Sequence, residues 1–455
     1  MVNNFEDLLT LCDKYDIAGP RYTSYPTALE MNDSKAREDR SALIASRPEQ
    51  PIALYVHIPF CHKLCYYCGC NKIVSNDQFK AERYVDALIK ELQQLGDSIS
   101  GRKLRSLHLG GGTPSFLTSS QIARLMTAIE CSFSKSQVFE ASIELDSRSI
   151  EVDYINLLCD LGFSRLSIGI QDTDESVQNA INRIQSSEHI GDLVRRAKSL
   201  GFKSINADLI YGLPRQSLVT FKKTVDDVVQ FGFDRVSLFS YAHLPRRFKA
   251  QRLIATDELP VGHDKLKLML SAQRWLAQAG YREVGMDHFA LPSDELAQAA
   301  ESGSLNRNFQ GYTADPDIDL LAIGVSSISD INGTVLQNDK ALKDYYASID
   351  GGLSPVAVGF DRLPEDLLRG WVIKALMCQF KVDKRQFAAA YGVSFDRYFA
   401  SEIEQLSDLM EDGLVSNDEV ELRVTHRGLL FVRRVAMAFD AYLSAKRQPA
   451  FSKVV

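Results

Sequence analysis

Six short apolar runs punctuate the first half of the chain: 52–58 (IALYVHI), 104–110 (LRSLHLG), 140–146 (EASIELD), 165–171 (RLSIGIQ), 204–210 (SINADLI) and 235–241 (RVSLFSY). Each has the length of a buried strand, and most carry β-branched residues, so they read as strands covered on both faces. Segments of helical periodicity lie between them. One opens at Thr118-Ser-Ser-Gln121, where hydroxyl and amide can cap each other's backbone, and others cover about 152–161, 190–200 and 217–230. Strand and helix in alternation predict a parallel sheet joined by right-handed crossovers.

That pattern suits a doubly wound sheet and a barrel equally. The polar residues separate the two. Tyr55 and His57, the glycines at 110–112, Glu144, Gln171, Asp208 and Tyr241 all fall at or near the C-terminal end of their strand. In a β/α barrel those ends converge on one mouth, where active sites are built. The expected fold is therefore α/β: a partial (β/α)6 TIM-like barrel with accessory strands over 51–361, preceded by an N-terminal extension. Residues 1–50 include Gly19-Pro-Arg-Tyr-Thr-Ser-Tyr-Pro26, too rich in aromatic and turn residues for a loose tail, and are expected to cover a substrate. Residues 362–455 read as a small, mostly helical, winged-helix-like domain, with strand-like stretches near 412–428.

Composition narrows the function classes. A formal charge of −7 argues against a general nucleic-acid or membrane-surface binder. No apolar run approaches the roughly 18 residues of a membrane span. The opening MVNNFEDLLTLCDKYD is mixed and acidic, unlike a signal peptide, so a cytoplasmic protein is expected. Eight cysteines exclude a disulfide scaffold, yet Cys61, Cys65, Cys68 and Cys70 lie within ten residues. Cys12, Cys131, Cys159 and Cys378 read as buried, inert thiols.

Cys61-x-x-x-Cys65-x-x-Cys68 follows the first strand. Structural zinc usually wants a second, distant pair of ligands, and none is evident in the sequence. A ferredoxin cluster normally takes four thiolates, and Cys70 sits awkwardly close to Cys68 to be the fourth. Three thiolates on a cubane leave one iron open, which a catalytic metal needs and a structural one avoids.

C-x3-C-x2-C in the loop after the first barrel strand resembles the signature of the radical S-adenosylmethionine (SAM) superfamily. The longer YVHIPFCHKLCYYCGCNKI (55–73) is similar to the oxygen-independent coproporphyrinogen III oxidases. So are PRYTSYPTALE (20–30), LHLGGGTP (107–114), DLIYGLP (208–214), YAHLP (241–245), GMDHFA (285–290) and RNFQGYT (307–313), which together span the chain. The resemblance implies a [4Fe–4S] cluster on Cys61, Cys65 and Cys68 and two bound SAM molecules. It places Gly111, Gly112, Thr113 and Glu144 at the SAM on the cluster, and Gln171, Arg183 and Asp208 at the second. Tyr55, Tyr67, Ala242 and Ile328 line these sites. The implied reaction is the anaerobic oxidative decarboxylation of two propionates of coproporphyrinogen III to vinyl groups, giving protoporphyrinogen IX in haem biosynthesis. A 5′-deoxyadenosyl radical made from SAM starts it. The implied partners are coproporphyrinogen III and an electron donor such as flavodoxin or ferredoxin, with the protein a monomer.

Other residues admit two readings. His57 and His62 flank the loop and read first as packing residues. Arg21 is a candidate for substrate propionates, because guanidinium pairs bidentately with carboxylate. Cys70 and the PRYTSYP segment set the chain apart from related haem chaperones. Ser147, Ile184, Ser240 and Leu218-Val219 depart from the family pattern. They leave open a diverged paralogue acting on another tetrapyrrole, or a haem chaperone, beside the main reading.

Overall fold

The computed structural model describes residues 5–315, 318–443 and 453. The chain divides into two compact units. One comprises Met31–Tyr281 and Asp317–Asp361; the other gathers Met1–Glu30, Arg282–Pro316 and Arg362–Val455.

All six apolar runs are strands of the first unit: β1 (Ile52–Ile58), β2 (Lys103–Gly111), β3 (Ser134–Leu145), β4 (Arg165–Gln171), β5 (Ser204–Tyr211) and β6 (Arg235–Ser240). Each runs parallel to the next. β3 begins six residues before its apolar run, because Ser134 and Lys135 pair with Lys103 and Leu104 before the register shifts. Those first residues are mostly exposed, so no apolar signal marks them. On the far side of β1 lies β7 (Asp319–Ile323), also parallel, with Leu54 opposite Leu321. The antiparallel β8 (Ile328–Ile331), β9 (Thr334–Asn338) and β10 (Val356–Asp361) continue the sheet beyond it.

The crossover helices include α1 (Gln78–Leu95), α2 (Ser119–Ser132), α3 (Val152–Asp160), α4 (Ser187–Ser199) and α5 (Leu218–Phe231). The reciprocal cap between Thr118 and Gln121 forms at the start of α2. Loops that follow non-neighbouring strands touch one another. Asn182 Nδ2, beyond β4, donates to Leu64 O at 2.7 Å, and Gln251 Nε2, beyond β6, donates to Tyr67 O at 2.9 Å. Strand ends that meet across the sheet in this way make a barrel mouth, whereas a flat crevice would join only neighbours.

Residues 31–50 belong to this unit. Arg40 reaches Glu91 of α1 at 2.6 Å, and both are buried. Glu91 also accepts from Gly324 N, Asn338 Nδ2 and Tyr345 Oη at 2.8, 2.9 and 2.7 Å. Four donors on one buried carboxylate satisfy its charge and tie α1 to the β7–β9 side of the sheet.

In the other unit the helix Pro364–Gln379 leads into a three-stranded antiparallel sheet of Lys381–Asp383, Glu421–Val424 and Val415–Asn417. The winged-helix-like expectation thus gains a third strand, only three residues long and silent in the hydrophobic pattern. Phe387, Phe395, Phe399 and Phe439 form its core. The N-terminal residues are built into this unit: Tyr22 Oη donates to Asp440 at 2.9 Å, and Arg433 Nε donates to Pro20 O at 2.9 Å. Among the isolated cysteines Cys378 is buried, but Cys131 is exposed and Cys12 and Cys159 are half-buried, so the reading of all four as buried does not hold. Cys131 lies in the last turn of α2, whose apolar face is carried by Ile122, Leu125, Met126 and Ile129. Among the described residues, no helix is long and apolar enough to cross a membrane.

Candidate cluster and cofactor site

The chain leaves β1 into a loop stitched to the strand ends around it. Phe60–Cys61 pairs in parallel with Ile73–Val74, and Gly112 N donates to Ile58 O at 2.8 Å. Cys61 and Cys65 are buried, Cys68 is half-buried and Cys70 is exposed. Each of the first three sulfurs receives a donor. Thr113 Oγ1 lies 3.3 Å from Cys61 Sγ, and Cys70 N lies 3.5 Å from Cys68 Sγ. Arg148 Nη2 and Arg183 Nη1 lie 3.3 and 3.6 Å from Cys65 Sγ. Burial pushes the Cys61 thiol up to about 11. A hydrogen bond with the Cys70 thiol, helped by the Lys72 ammonium, brings the Cys68 thiol down to about 6 against burial.

Asp146 organises the two guanidiniums. Arg148 Nη2 meets it at 2.6 Å and Arg183 Nη2 at 3.4 Å. Burial raises the Asp146 carboxyl, but Arg183 and then Arg148 outweigh it and hold the group well below the usual carboxylate range. Arg183, assigned by resemblance to the second SAM, is no surface residue. It lies between helices, is 6% exposed, and also donates to Gly169 O. No motif spacing marked Asp146 or Arg148; only the fold brings them to Cys65.

A second group lies at the ends of β1, β2 and β3. Glu144 accepts from Gly111 N at 3.0 Å and stands 3.4 Å from His108 Nε2, while its side chain stays 42% exposed. His108 stacks on Tyr55 at 5.8 Å and meets Ser142 Oγ at 2.7 Å. The glycines have local causes. A Cβ on Gly111, whose φ is +117°, would lie 2.5 Å from the His57 ring, and one on Gly112 would lie 2.6 Å from Pro59 O. Close approach of the chain to itself accounts for a glycine at both positions, and leaves the SAM contact implied by resemblance untouched. His57 packs as expected: it is buried, 3.1 Å from Tyr55 Oη and 3.2 Å from Asn71 O.

Gln171 is buried with φ +66°, and Gly169 beside it leaves room for the Gln171 and Arg183 side chains. Asp208 accepts from Ser167 Oγ at 3.1 Å and Asn206 Nδ2 at 2.8 Å. Tyr67 packs with Tyr66 against Val177, Ile181, Leu213, Tyr241 and Ile254. The Ala242 carbonyl accepts from Gln251 at 3.1 Å, and Ile328 opens β8 opposite Gln337. Ser147 is buried and meets Gln185 at 3.0 Å, whereas Ile184 is 60% exposed. Arg21 belongs to the other unit, 2.6 Å from Asp287.

Among the described residues no three His, Cys, Asp or Glu side chains converge on one ion-sized point. Burial chiefly, and then the charges of Cys68 and Cys65, raise the Cys61 thiol, which puts the other two cysteines near it.

The radical SAM superfamily profile matches residues 55–228, and the HemN C-terminal domain profile matches 363–431. The chain is 47% identical over 450 residues to the oxygen-independent coproporphyrinogen III oxidase of Salmonella typhimurium, covering 98% of each chain. It is 41% identical to the namesake from Pseudomonas aeruginosa, again over 98% of both. The solved structure of Escherichia coli coproporphyrinogen III oxidase, described as a radical SAM enzyme, superposes with a TM-score of 0.90 at 46% identity, covering 93% of this chain and 98% of that one. On likeness of that extent, in sequence and in fold, the chain belongs to the oxygen-independent coproporphyrinogen III oxidases of the radical SAM superfamily.

Proposed function

We infer that the chain converts coproporphyrinogen III to protoporphyrinogen IX without oxygen, as a radical SAM oxidoreductase of haem biosynthesis acting in the cytoplasm as a monomer. The observation that carries this is the 47% identity over nearly the full length of a relative with that activity in its name. In this reading Cys61, Cys65 and Cys68 hold the [4Fe–4S] cluster, and two SAM molecules bind per chain. When bound, cluster and SAM supply the one-electron cleavage that generates a 5′-deoxyadenosyl radical for abstraction of a propionate hydrogen. The electron comes from an external donor such as flavodoxin or ferredoxin.

The chain's own groups prepare that chemistry. Thr113, Arg148, Arg183 and the Cys70 amide donate to the thiolate sulfurs, which stabilises the more negative, reduced state. Glu144, fixed by Gly111 N and still half-open, offers an acceptor to the ammonium of the SAM methionine. Tyr55, stacked on His108, would lie beside that SAM, which Gly111, Gly112 and Thr113 would also hold. Gln171 and Asp208 would hold the second SAM. Arg183 acts there by positioning, since its guanidinium is already held by Gly169, Asp146 and Cys65. Tyr67, Ala242 and Ile328 complete the lining, and the apolar cluster around Tyr67 keeps water from the radical.

The test is anaerobic incubation of the reconstituted protein with coproporphyrinogen III, SAM and a chemical reductant. Protoporphyrinogen IX should form, with 5′-deoxyadenosine and methionine alongside. Unchanged coproporphyrinogen III from a protein that still cleaves SAM would overturn the reading.

A further inference from the structure

The segment Pro245-Arg-Arg-Phe-Lys-Ala-Gln-Arg252 places four cations in eight residues, and no carboxylate appears from Pro245 to Ala255. In a chain with a formal charge of −7 this local sign is inverted. Two attachments fix the segment to the cysteine loop. The buried Gln251 amide donates to Tyr67 O at 2.9 Å and to Ala242 O at 3.1 Å, while its oxygen accepts from Leu244 N at 2.5 Å. The Phe248 ring lies so close to Gly69 that a Cβ there would stand 2.9 Å from it.

The cations themselves face outward. Arg246, Arg247, Lys249 and Arg252 are all exposed. Arg247 lies over the Phe248 ring at 5.4 Å and Arg252 Nε reaches Pro245 O at 3.0 Å. Among the described residues none of the four pairs with a carboxylate. Through the Phe248–Gly69 approach the segment lies against the Cys68–Cys70 side of the cysteine loop, while its four cations stay exposed. Unpaired like charges repel one another at some cost, and such a strip gains from steering an oppositely charged partner.

We propose that Arg246–Arg252 is the docking surface for an acidic one-electron carrier protein, which delivers its electron at the Cys68–Cys70 edge of the loop. The proposal rests on the reading of Cys61, Cys65 and Cys68 as cluster ligands. One electron leaves the carrier, a flavin hydroquinone becoming a semiquinone, and enters the oxidised [4Fe–4S]2+ cluster to give [4Fe–4S]+. No bond to the carrier forms.

The test uses reconstituted holoenzyme with flavodoxin as the probe, and reads binding by titration calorimetry under anoxia. Arg246→Glu/Arg247→Glu/Lys249→Glu should weaken flavodoxin binding at least tenfold, with iron content unchanged. Its SAM cleavage driven by titanium(III) citrate, which needs no docking, should stay within about twofold of the parent. The parent's own affinity should fall steeply between about 0.05 and about 0.3 M salt. Unchanged flavodoxin affinity in the triple variant, or salt-independent binding by the parent, overturns the proposal. Should the triple variant lose its iron, Arg246→Gln/Arg247→Gln decides in its place, and unweakened binding there likewise overturns it. Failure of the parent to cleave SAM with titanium(III) citrate would instead overturn the cluster reading.

Discussion

Thr113 sits 52 residues from Cys61, and its hydroxyl lies 3.3 Å from that sulfur. The motif alone placed Thr113 near SAM and gave no hint of this contact. Thr113→Val keeps the shape and removes the donor. A hydrogen bond worth about 1 kcal/mol more to the reduced state corresponds to on the order of 40 mV for one electron. The variant should therefore hold its full iron and show a midpoint potential lower by about that amount in a redox titration. Cys61→Ala should lose the cluster, while Cys70→Ala, which removes an exposed thiol, should retain about four irons per chain by colorimetric assay. The cysteines proposed as cluster ligands stood out in sequence because three thiols at fixed spacing have few structural uses. Asp146, Arg148 and His108 were not, because each meets its partners through strand ends that only the folded sheet brings together. An arginine or histidine alone in sequence carries no such signal.

The strands that build the site show the same divide. Six were legible from continuous apolar runs, since a parallel strand buried on both faces is apolar throughout. β7 is as buried, with five residues fully packed, but it follows the sixth run by nearly eighty positions, and nothing local announces that it returns to pair with β1. Its docking depends on α1. Tyr84 Oη of that helix donates to His57 O at 2.8 Å and accepts from Val325 N at 2.9 Å, while Glu91 accepts from Arg40, Gly324, Asn338 and Tyr345. Glu91→Gln leaves the buried Arg40 guanidinium without its counter-charge, at about 3 kcal/mol or more. Calorimetry should show the barrel unit melting on the order of 10 °C lower. Between β3 and β4, Glu140 takes a two-point contact from Arg165, each at 3.0 Å, and a third from Lys203 at 3.2 Å. Burial raises the Glu140 carboxyl, but Arg165 and then Lys203 outweigh it and hold the group below its ordinary value. The stabilisation is therefore complete above about pH 4.3 and drains away as pH falls beneath it. Glu140→Gln should lose about 2 kcal/mol in urea titrations at pH 7, and the gap to the parent should narrow at about pH 3.5.

Over the whole chain, the unit that contains the C-terminal domain is assembled from three separated segments, which the sequence presented as an N-terminal extension, part of the barrel region and a C-terminal domain. Periodicity cannot show such an assembly, because the contacts join residues some four hundred positions apart. Arg433 is 6% exposed, and its guanidinium donates to the carbonyls of Gly19 and Pro20; Asp440, 7% exposed, accepts from Tyr22. Arg427 holds Asp7, and Tyr15 reaches Asp412 at 2.5 Å. A chain starting at Met31 would leave the guanidinium of Arg433 and the carboxyl of Asp440 without these partners inside the fold, a penalty of several kcal/mol that adds to the loss of buried Leu8, Leu11 and Tyr22. The barrel unit keeps Arg37, Arg40 and every residue assigned to the cluster, since all of them follow Met31 in the chain. Hydrogen exchange on that truncated chain should therefore show protection lost over 364–379 and 432–437 but retained in β1 through β6, with the iron content of the full chain. Loss of iron together with that protection would mean that the barrel unit does not hold its cluster site alone, and that the N-terminal residues stabilise the catalytic half as well as the unit they are built into.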